Sequence, residues 1–222
     1  MPVENLSRFA RVHGPFPLDL WLIDIPFYGA AKRTMDVSLS IVLILALSPV
    51  LFMIALAIGL TSPGPILFKQ KRYGRNACEF WCYKFRTMHV CNADDTFVQC
   101  QPGDARITTV GHFLRRTSLD ELPQLFNVLQ GSMSLVGPRP HPLRLDVEFA
   151  AEIRGYERRF RVKPGMTGLA QVLGYRGPTP TIEDMERRIE ADNTYAETKS
   201  LWLDLQILIR TPMALIGGKN AF

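Results

Sequence analysis

Charge is missing from one long stretch of this chain. Its 222 residues include 26 Lys and Arg against 21 Asp and Glu, for a net charge of +5, yet no charged residue lies between Val37 and Phe68. The mean hydropathy of +0.03 averages over this contrast. With 47% hydrophobic residues, the composition excludes a disordered or collagen-like chain. The positive excess favours an anionic partner: phosphate, nucleic acid or a membrane surface.

Several ligand-binding motifs are also absent. The four cysteines are irregularly spaced and lack paired histidines nearby, which does not fit a zinc ribbon, so reduced and mostly buried thiols are expected. Neither G-x-x-x-x-G-K-[ST] nor G-x-G-x-x-G occurs, which excludes those two ways of binding a nucleotide. No nucleic-acid-binding motif accompanies the basic residues, so we expect no nucleic-acid partner.

Residues 41 to 60 form an apolar run about as long as a helix that crosses a bilayer core of roughly 30 Å. Ser48 and Pro49 lie near its middle, where the proline predicts a break and the serine hydroxyl can satisfy a freed carbonyl. Basic residues flank the run on both sides, and the positive-inside rule places both flanks in the cytoplasm. We therefore predict a re-entrant membrane helix over residues 32–60, with a kinked full span as the alternative.

The rest of the chain predicts an α+β fold with more helix than strand. Residues 66–75 and 78–88 are expected to form a β-hairpin, and residues 89–103 a loop. Helical patterns cover residues 108–116, 120–130, 143–160, 181–196 and 200–212, with Thr181 as an N-cap. The last helix fits either a membrane interface or a packed core. The segment before the membrane helix, residues 1–31, is predicted to be an arm that is either interfacial or mobile.

An acid pair, Asp120-Glu121, begins one predicted helix. Neighbouring side chains on a helix point about 100° apart, so the pair does not share one proton. Ser118 and Glu121 fit an S-x-x-E capping box, although Pro123 favours Asp120 as the cap. A helix N-terminus favours an ionised carboxylate, which suits a nucleophile, so a catalytic role stays open beside the capping role that the local sequence favours.

Cations accompany this acid pair. Lys84 and Arg86 lie on one face of the second predicted strand, where they are either solvated or directed at an anion. Arg139 lies between Pro138 and Pro140 in a rigid loop. Several arginines in loops that contain proline and glycine indicate bidentate recognition of phosphate.

The order of short motifs resembles the bacterial sugar transferase family, the monotopic phosphoglycosyl transferases. The matching segments are KRTMD (32–36), the apolar run with Ser48-Pro49, YKFRTM (83–88), the stretch from Asp104 to Pro140, KPGMTGLAQV (163–172), and the D-x-x-Y and SLWLDLQIL segments, so the resemblance covers about residues 32–212. Members transfer a sugar 1-phosphate from a UDP-sugar to a polyprenyl phosphate such as undecaprenyl phosphate.

The resemblance implies a re-entrant anchor followed by a small, mostly helical catalytic domain with a short β-hairpin, over residues 61–216, and a tail over residues 217–222. It implies a location at the cytoplasmic face of the bacterial inner membrane, and the first membrane step of exopolysaccharide, capsule or O-antigen synthesis. A homo-oligomer is left open.

The resemblance also assigns roles to single residues. Asp120 would attack the β-phosphate, expel UMP and form a covalent phosphosugar intermediate, which the polyprenyl phosphate resolves. Glu121 would be its partner acid and would assist Mg²⁺ binding or proton transfer, and the two carboxylates are the expected Mg²⁺ ligands. The phosphate ligands would be Lys84, Arg115 and Arg139, and Asp192 and Tyr195 match a late motif that contributes to substrate binding.

The chain departs from the family pattern at three places. Ala105 follows Asp104 where a proline is usual, Ser132 replaces an acid, and YRGPTP (175–180) replaces the usual turn after Gly174. Contacts from this last turn to the sugar or uridine are therefore unassigned, and the sequence does not name the sugar. A non-enzymatic, membrane-tethered basic module that binds an anionic polymer or partner is the alternative function.

Overall fold

The computed structural model describes residues 28–90, 103–177, 179 and 181–217. Most of the predicted arm (1–31), of the predicted loop (89–103) and of the tail (217–222) lies outside these residues, as do Cys91 and Cys100. The element order confirms an α+β fold that is mostly helical and contains one long apolar helix near the N-terminus.

Helix α1 runs from Tyr28 to Thr61 as one helix that contains Pro49, so the break predicted at Ser48-Pro49 does not interrupt it. It therefore begins four residues before the predicted boundary of the arm. Pro49 has no N–H for the carbonyl of Leu45, and the Ser48 hydroxyl donates to that carbonyl at 2.8 Å. This contact confirms the predicted role of Ser48 in satisfying a carbonyl freed by the proline.

Helix α1 is long and apolar enough to cross a membrane, by length and composition alone. Only 11% of its most apolar 18-residue window is buried against the rest of the chain. A row of large apolar side chains, including Val42, Leu45, Phe52 and Met53, is exposed. In water this surface would be costly, because each exposed apolar side chain forgoes about 1.5–3 kcal/mol of burial.

The two ends of α1 contact the same soluble domain. Near the N-terminal end, the two Nη atoms of Arg33 donate to the carbonyls of Val128 and Leu129 at 2.6 and 2.7 Å. About six turns later, Ile54 and Ile58 belong to one apolar cluster with Phe85 and Leu114. Both ends of α1 are therefore held by the same part of the chain.

The KRTMD segment fixes the start of α1. Lys32 Nζ lies 3.2 Å from Asp36 Oδ1 and 3.1 Å from Asp204 Oδ2, in a buried setting. Asp36 Oδ1 also accepts a hydrogen bond from the backbone N–H of Leu135 at 3.1 Å. These contacts join the membrane helix to two elements of the soluble domain.

The predicted hairpin is confirmed. Strand β1 (Leu67–Tyr73) pairs antiparallel with β2 (Glu79–Phe85), in a register that places Phe68 opposite Lys84. The alternation puts Cys82 and Lys84 on the same face of β2. Cys82 is buried, and burial raises the pKa of its thiol, whereas Cys78 is exposed.

The remaining elements form a helical domain with one small sheet. In chain order they are α2 (Thr109–Thr117), a 3₁₀ turn (Leu119–Glu121), α3 (Gln124–Gln130), β3 (Ser134–Val136), α4 (Leu143–Glu152), a 3₁₀ segment (Tyr156–Arg161), β4 (Gly165–Thr167), α5 (Leu169–Val172), α6 (Ile182–Thr198) and α7 (Leu201–Gly217). Strands β3 and β4 pair in parallel.

Two predicted helices end earlier or begin later than the sequence pattern indicates. The prediction over residues 143–160 is wrong after Glu152, because Gly155 adopts a left-handed φ of 79° before the 3₁₀ segment. The prediction over residues 120–130 is split into a 3₁₀ turn and α3. Thr181 does cap α6, since its hydroxyl accepts a hydrogen bond from the N–H of Asp184 at 3.2 Å.

Helix α7 has two apolar faces. Leu203 and Ile207 are fully buried in the main core, where they join Leu125 and Val128 of α3. The core-packing alternative is therefore confirmed for one face. On the other face Ile209 is 75% exposed, so α7, like α1, presents apolar side chains at the surface.

Candidate active site

The acid pair lies in the 3₁₀ turn between α2 and α3. Ser118 ends α2 in a left-handed conformation (φ 58°), with its N–H bonded to the carbonyl of Arg115, and its side chain makes no capping bond. Pro123, rather than Asp120, precedes the first residue of α3. Both capping predictions are therefore wrong, because Ser118 flanks α2 and the 3₁₀ turn without a side-chain capping bond, and Asp120 lies inside that turn.

Glu121 is held by two cations from other elements. Arg139 donates from both Nη atoms to the two carboxylate oxygens, at 2.8 Å to Oε2. Lys84 Nζ donates to Oε1 at 2.8 Å from strand β2. Burial alone would raise the pKa of Glu121, but Arg139 and Lys84 outweigh this effect and hold the pKa well below its usual value.

Asp120 has a different environment. Its side chain is 8% exposed and makes no hydrogen bond or ion pair with any residue that the structure describes. Burial raises its pKa to about 6; Lys84 opposes this shift, whereas the charge on Glu121 adds to it. A buried carboxylate without a partner, beside one that is firmly paired, is a candidate nucleophile.

The other predicted cations differ in their contacts. Arg115 Nε donates to the Thr87 hydroxyl at 2.9 Å, and its charge lowers the pKa of Asp120. Arg86 donates to the carbonyls of Ser62 and Pro63 at 2.7 and 2.6 Å, which ties the end of α1 to the hairpin. The contacts of Arg86 are thus structural, and its part in substrate binding stays a prediction.

A further arginine, which the sequence did not single out, approaches the acid pair. Arg176 donates from Nη2 to the hydroxyl of Ser118, two residues before Asp120. Burial lowers the pKa of Arg176 and the charge on Arg139 lowers it further, whereas Glu121 and Asp120 raise it. Arg176 therefore belongs to the same electrostatic site.

A model of the bacterial sugar transferase family matches residues 27–218 of this chain. The chain belongs to the bacterial sugar transferase family. The residues matched include the acid pair, its cations, both ends of α1 and the whole helical domain.

Curated relatives carry related names. A relative in Escherichia coli (strain K12), named a UDP-glucose:undecaprenyl-phosphate glucose-1-phosphate transferase, is 48% identical over 97% of this chain and 47% of its own length. A relative of the same name in Caulobacter vibrioides is 49% identical over 86% of this chain and 72% of its own. A relative in Aeromonas hydrophila, named for N-acetylgalactosamine phosphate transfer, is 40% identical over 90% of this chain and 47% of its own.

This member of the family spans less than half the length of several of these relatives. The matched part is nevertheless the part that carries the acid pair. Family membership rests on this region.

In this member of the family, Asp192 and Tyr195 lie in buried networks of hydrogen bonds and ion pairs. Asp192 Oδ2 is 2.9 Å from Arg159 Nη2, and that guanidinium also donates to the carbonyl of Arg139. The Tyr195 hydroxyl donates to Asp204 Oδ1 at 2.7 Å and to the Val136 carbonyl at 3.1 Å. Both side chains are at most 2% exposed, so they support the site from within, and their contact with substrate stays a prediction.

The loop that carries Arg139 is fixed by buried groups that the sequence did not reveal. Arg72 Nη1 donates to the carbonyl of Pro140 at 3.2 Å, next to the bond from Arg159 to the carbonyl of Arg139. Arg159 is itself surrounded by His141, Asp146 and Tyr156. In the sequence Arg159 lies among the basic residues Arg158 and Arg161, and only its burial in the 3₁₀ segment distinguishes it from them.

The described residues hold no group of three or more His, Cys, Asp or Glu side chains that could bind a metal ion. Both oxygens of Glu121 are engaged by cations, whereas those of Asp120 are not. Because Mg²⁺ is commonly held by one or two carboxylates together with substrate phosphates, Asp120 is the residue that fits a metal carried by a diphosphate.

Proposed function

We propose that this chain transfers a hexose 1-phosphate from a UDP-sugar to undecaprenyl phosphate through a covalent intermediate on Asp120. The observation that carries the proposal is the contrast within the acid pair. Glu121 is fixed between Arg139 and Lys84, while Asp120 stays without a partner among the described residues. Family membership supports the reaction class.

In the first step, an ionised oxygen of Asp120 attacks the β-phosphorus of the UDP-sugar. A bond forms between that oxygen and phosphorus, the bond from phosphorus to the bridging oxygen breaks, and UMP leaves with the electron pair. In the second step, an oxygen of undecaprenyl phosphate attacks the same phosphorus and releases the carboxylate of Asp120. Neither step requires a proton to be removed from the attacking group when it is already ionised.

The charges around Asp120 suit this chemistry. Asp120 and Glu121 contribute two formal negative charges, and four cations lie near them, so the site keeps an excess of two positive charges before substrate binds. These cations are Lys84, Arg115, Arg139 and Arg176. Fixed positive groups stabilise a reacting phosphoryl group because they need no reorganisation during the reaction.

Glu121 acts in this proposal as a positioning residue. By binding both Arg139 and Lys84, it sets the directions from which they face the site. We therefore confine the metal-binding role that the sequence assigned to both acids to Asp120. A bound Mg²⁺ would offset the negative charge of the diphosphate, and chelation with EDTA should abolish turnover until Mg²⁺ is restored.

The names of the relatives support a choice of donor. Two relatives at 48% and 49% identity are named for transfer of glucose 1-phosphate from UDP-glucose. We propose UDP-glucose as the donor, with UDP-N-acetylgalactosamine as the competing candidate. A role in the first membrane step of exopolysaccharide, capsule or O-antigen synthesis follows from this reaction, and a relative in Rhizobium leguminosarum is named for exopolysaccharide production.

The proposed location is the cytoplasmic face of the bacterial inner membrane, where UDP-sugars are available. The exposed apolar side of α1 supports membrane insertion, and the contacts of both its ends with one domain support a re-entrant path. This path would hold Asp120 near the height of the lipid phosphate groups. It would also let the soluble donor and the lipid acceptor reach one site.

The test is to incubate the purified chain in nanodiscs with undecaprenyl phosphate, Mg²⁺ and a panel of UDP-sugars. We expect UMP release and a lipid-linked sugar with UDP-glucose. Without lipid acceptor, intact mass spectrometry should detect a hexose phosphate adduct that is absent from Asp120→Asn. Glu186→Gln, which removes an exposed carboxylate, is the control and should retain activity.

Full activity of Asp120→Asn would overturn the mechanism. Absence of UMP release from the wild-type chain with every donor, combined with retention on anionic vesicles, would instead support a non-enzymatic basic module.

A further inference from the structure

The loop after α5 presents Arg176 toward the acid pair. Its conformation requires glycine on both sides, because Gly174 and Gly177 have left-handed φ values of 88° and 109°. This is the turn where the sequence departs from the family pattern and where no contact could be assigned.

Arg188 of α6 donates two hydrogen bonds to this loop. Its Nε donates to the carbonyl of Tyr175 at 3.0 Å, and its Nη2 donates to the carbonyl of Gly177 at 2.6 Å. These two carbonyls belong to the residues on either side of Arg176. The backbone that carries Arg176 is therefore fixed from a buried position on a 17-residue helix.

The guanidinium of Arg176 is incompletely bonded. Nη2 donates to the Ser118 hydroxyl, but Nη1 is buried and has no hydrogen-bond acceptor among the described residues. A buried donor without an acceptor is unfavourable, and more so when it is charged. Such a donor is normally met by a ligand, an ion or an ordered water, and this one lies beside the candidate nucleophile.

The surroundings indicate what the ligand carries. Asp120 and Glu121 lie close enough to raise the pKa of Arg176, yet neither accepts a hydrogen bond from it. Glu121 already binds Lys84 and Arg139. The guanidinium of Arg176 therefore forms no ion pair with a carboxylate among the described residues. A guanidinium fork is suited to phosphate, whose oxygens can accept two parallel bonds.

We propose that Arg176 is a direct ligand of the donor diphosphate and that Arg188 is the residue that positions it. Nη1 of Arg176 donates to a phosphate oxygen on the group that Asp120 attacks. The reacting phosphorus has to lie about 3–3.5 Å from a carboxylate oxygen of Asp120, and Asp120 is one of the two acids whose charge acts on Arg176. The inference rests on the proposed function for the identity of the donor.

Binding measurements test the inference separately from turnover. The affinity of the full chain in nanodiscs is measured for UDP and for inorganic pyrophosphate, by calorimetry or by ligand-induced thermal shift. Arg176→Gln should weaken the binding of both probes by about 10- to 100-fold, the size expected for losing one charge-assisted hydrogen bond. Arg187→Gln, an exposed neighbour of Arg188, removes the same charge and should change affinity by less than threefold.

Ser118→Ala separates a ligand role from a structural one. This variant removes the one hydrogen bond by which Arg176 holds the turn before Asp120. Affinity for UDP should stay within threefold of wild type. If Ser118→Ala weakens UDP binding as much as Arg176→Gln does, Arg176 only supports the turn and the inference is overturned.

Arg188 is tested through a double-mutant cycle. Arg188→Gln frees the loop and should weaken UDP binding about tenfold in the wild-type background, but hardly at all in the Arg176→Gln background. Additive losses would show that Arg188 acts by another route. If Arg176→Gln fails to fold, Arg176→Lys keeps the charge without the fork and should show an intermediate loss of affinity.

The binding results and the UMP-release results together distinguish the possible outcomes. Equal affinity of wild type and Arg176→Gln for both probes overturns the inference, as does a wild-type chain that binds neither probe. A wild-type chain that binds UDP through Arg176 but releases no UMP from any UDP-sugar retains the diphosphate subsite and contradicts the proposed function.

Discussion

Asp120 and Glu121 are neighbours in sequence, yet the pKa of Asp120 is raised above its usual value and the pKa of Glu121 is lowered. Both are buried, and burial disfavours the charge of each. Glu121 overcomes this penalty with bonds from Arg139 and Lys84, and by doing so it leaves those cations only partly available to Asp120. The geometry of two ion pairs thus determines which acid remains reactive.

The raised pKa of Asp120 predicts an acid limb in the pH profile. An attacking carboxylate must be ionised, and the pKa of Asp120 is about 6. We expect kcat/KM for UMP release to be level above pH 7 and to fall tenfold for each pH unit well below 6. Thermal unfolding at each pH serves as the control for loss of structure, and a rate that stays level down to pH 5 in folded protein would contradict the assignment.

The same shift predicts that Asp120 lowers stability at neutral pH. A folded pKa of about 6 exceeds the unfolded value of about 3.9, so the folded state prefers the protonated acid and stability is lost as the pH rises through this window. Asp120→Asn should raise the free energy of unfolding by about 2 kcal/mol at pH 7 and by little near pH 4. Thermal unfolding in detergent at both pH values measures this difference, and a variant less stable at pH 7 would refute it.

The secondary structure shows which features of the sequence are informative. The hairpin could be predicted because two short segments that contain aromatic and aliphatic residues flank a turn with Gly74 and Asn76. The start of α3 could not be predicted. Ser118 fits a capping box in the sequence, and only its left-handed φ in the structure shows that α2 ends there. Asp120, Lys84 and Arg139 could be identified from the sequence. The position of Arg176 could not, because it depends on a loop that Arg188 holds through two hydrogen bonds.

Within α1, Ser48 is expected to contribute to stability only while Pro49 is present. Ser48 supplies the bond to the Leu45 carbonyl that Pro49 cannot make. Ser48→Ala should therefore lower the free energy of unfolding by about 1 kcal/mol, since that carbonyl loses its partner in an apolar environment.

In a Pro49→Ala background, the restored backbone N–H can bond the Leu45 carbonyl, and Ser48→Ala should have little effect. Melting temperatures of the four variants in detergent measure the coupling. Equal losses in both backgrounds would show that the hydroxyl does not compensate for the proline.

The molecule as a whole has an apolar surface on two helices and a charged site in the domain between the ends of α1. Exposed side chains on α1 and on α7, such as Phe52 and Ile209, belong to the same body as Asp120. Such a surface fits partial insertion into one leaflet better than exposure to water.

The re-entrant path predicts that both ends of α1 stay on one side of the membrane. Gly29 and Thr61 lie near the two ends; both are exposed, and a Cβ added at Gly29 meets nothing within 4 Å. In a variant whose four native cysteines are replaced by serine, Gly29→Cys and Thr61→Cys should both resist a membrane-impermeant maleimide in spheroplasts and both react after permeabilisation. Leu45→Cys, in the middle of the apolar run, is the control that should resist labelling in both conditions, because it lies in lipid. A full span predicts instead that one of the two terminal positions reacts in intact spheroplasts, since the helix would then carry its two ends to opposite sides of the bilayer.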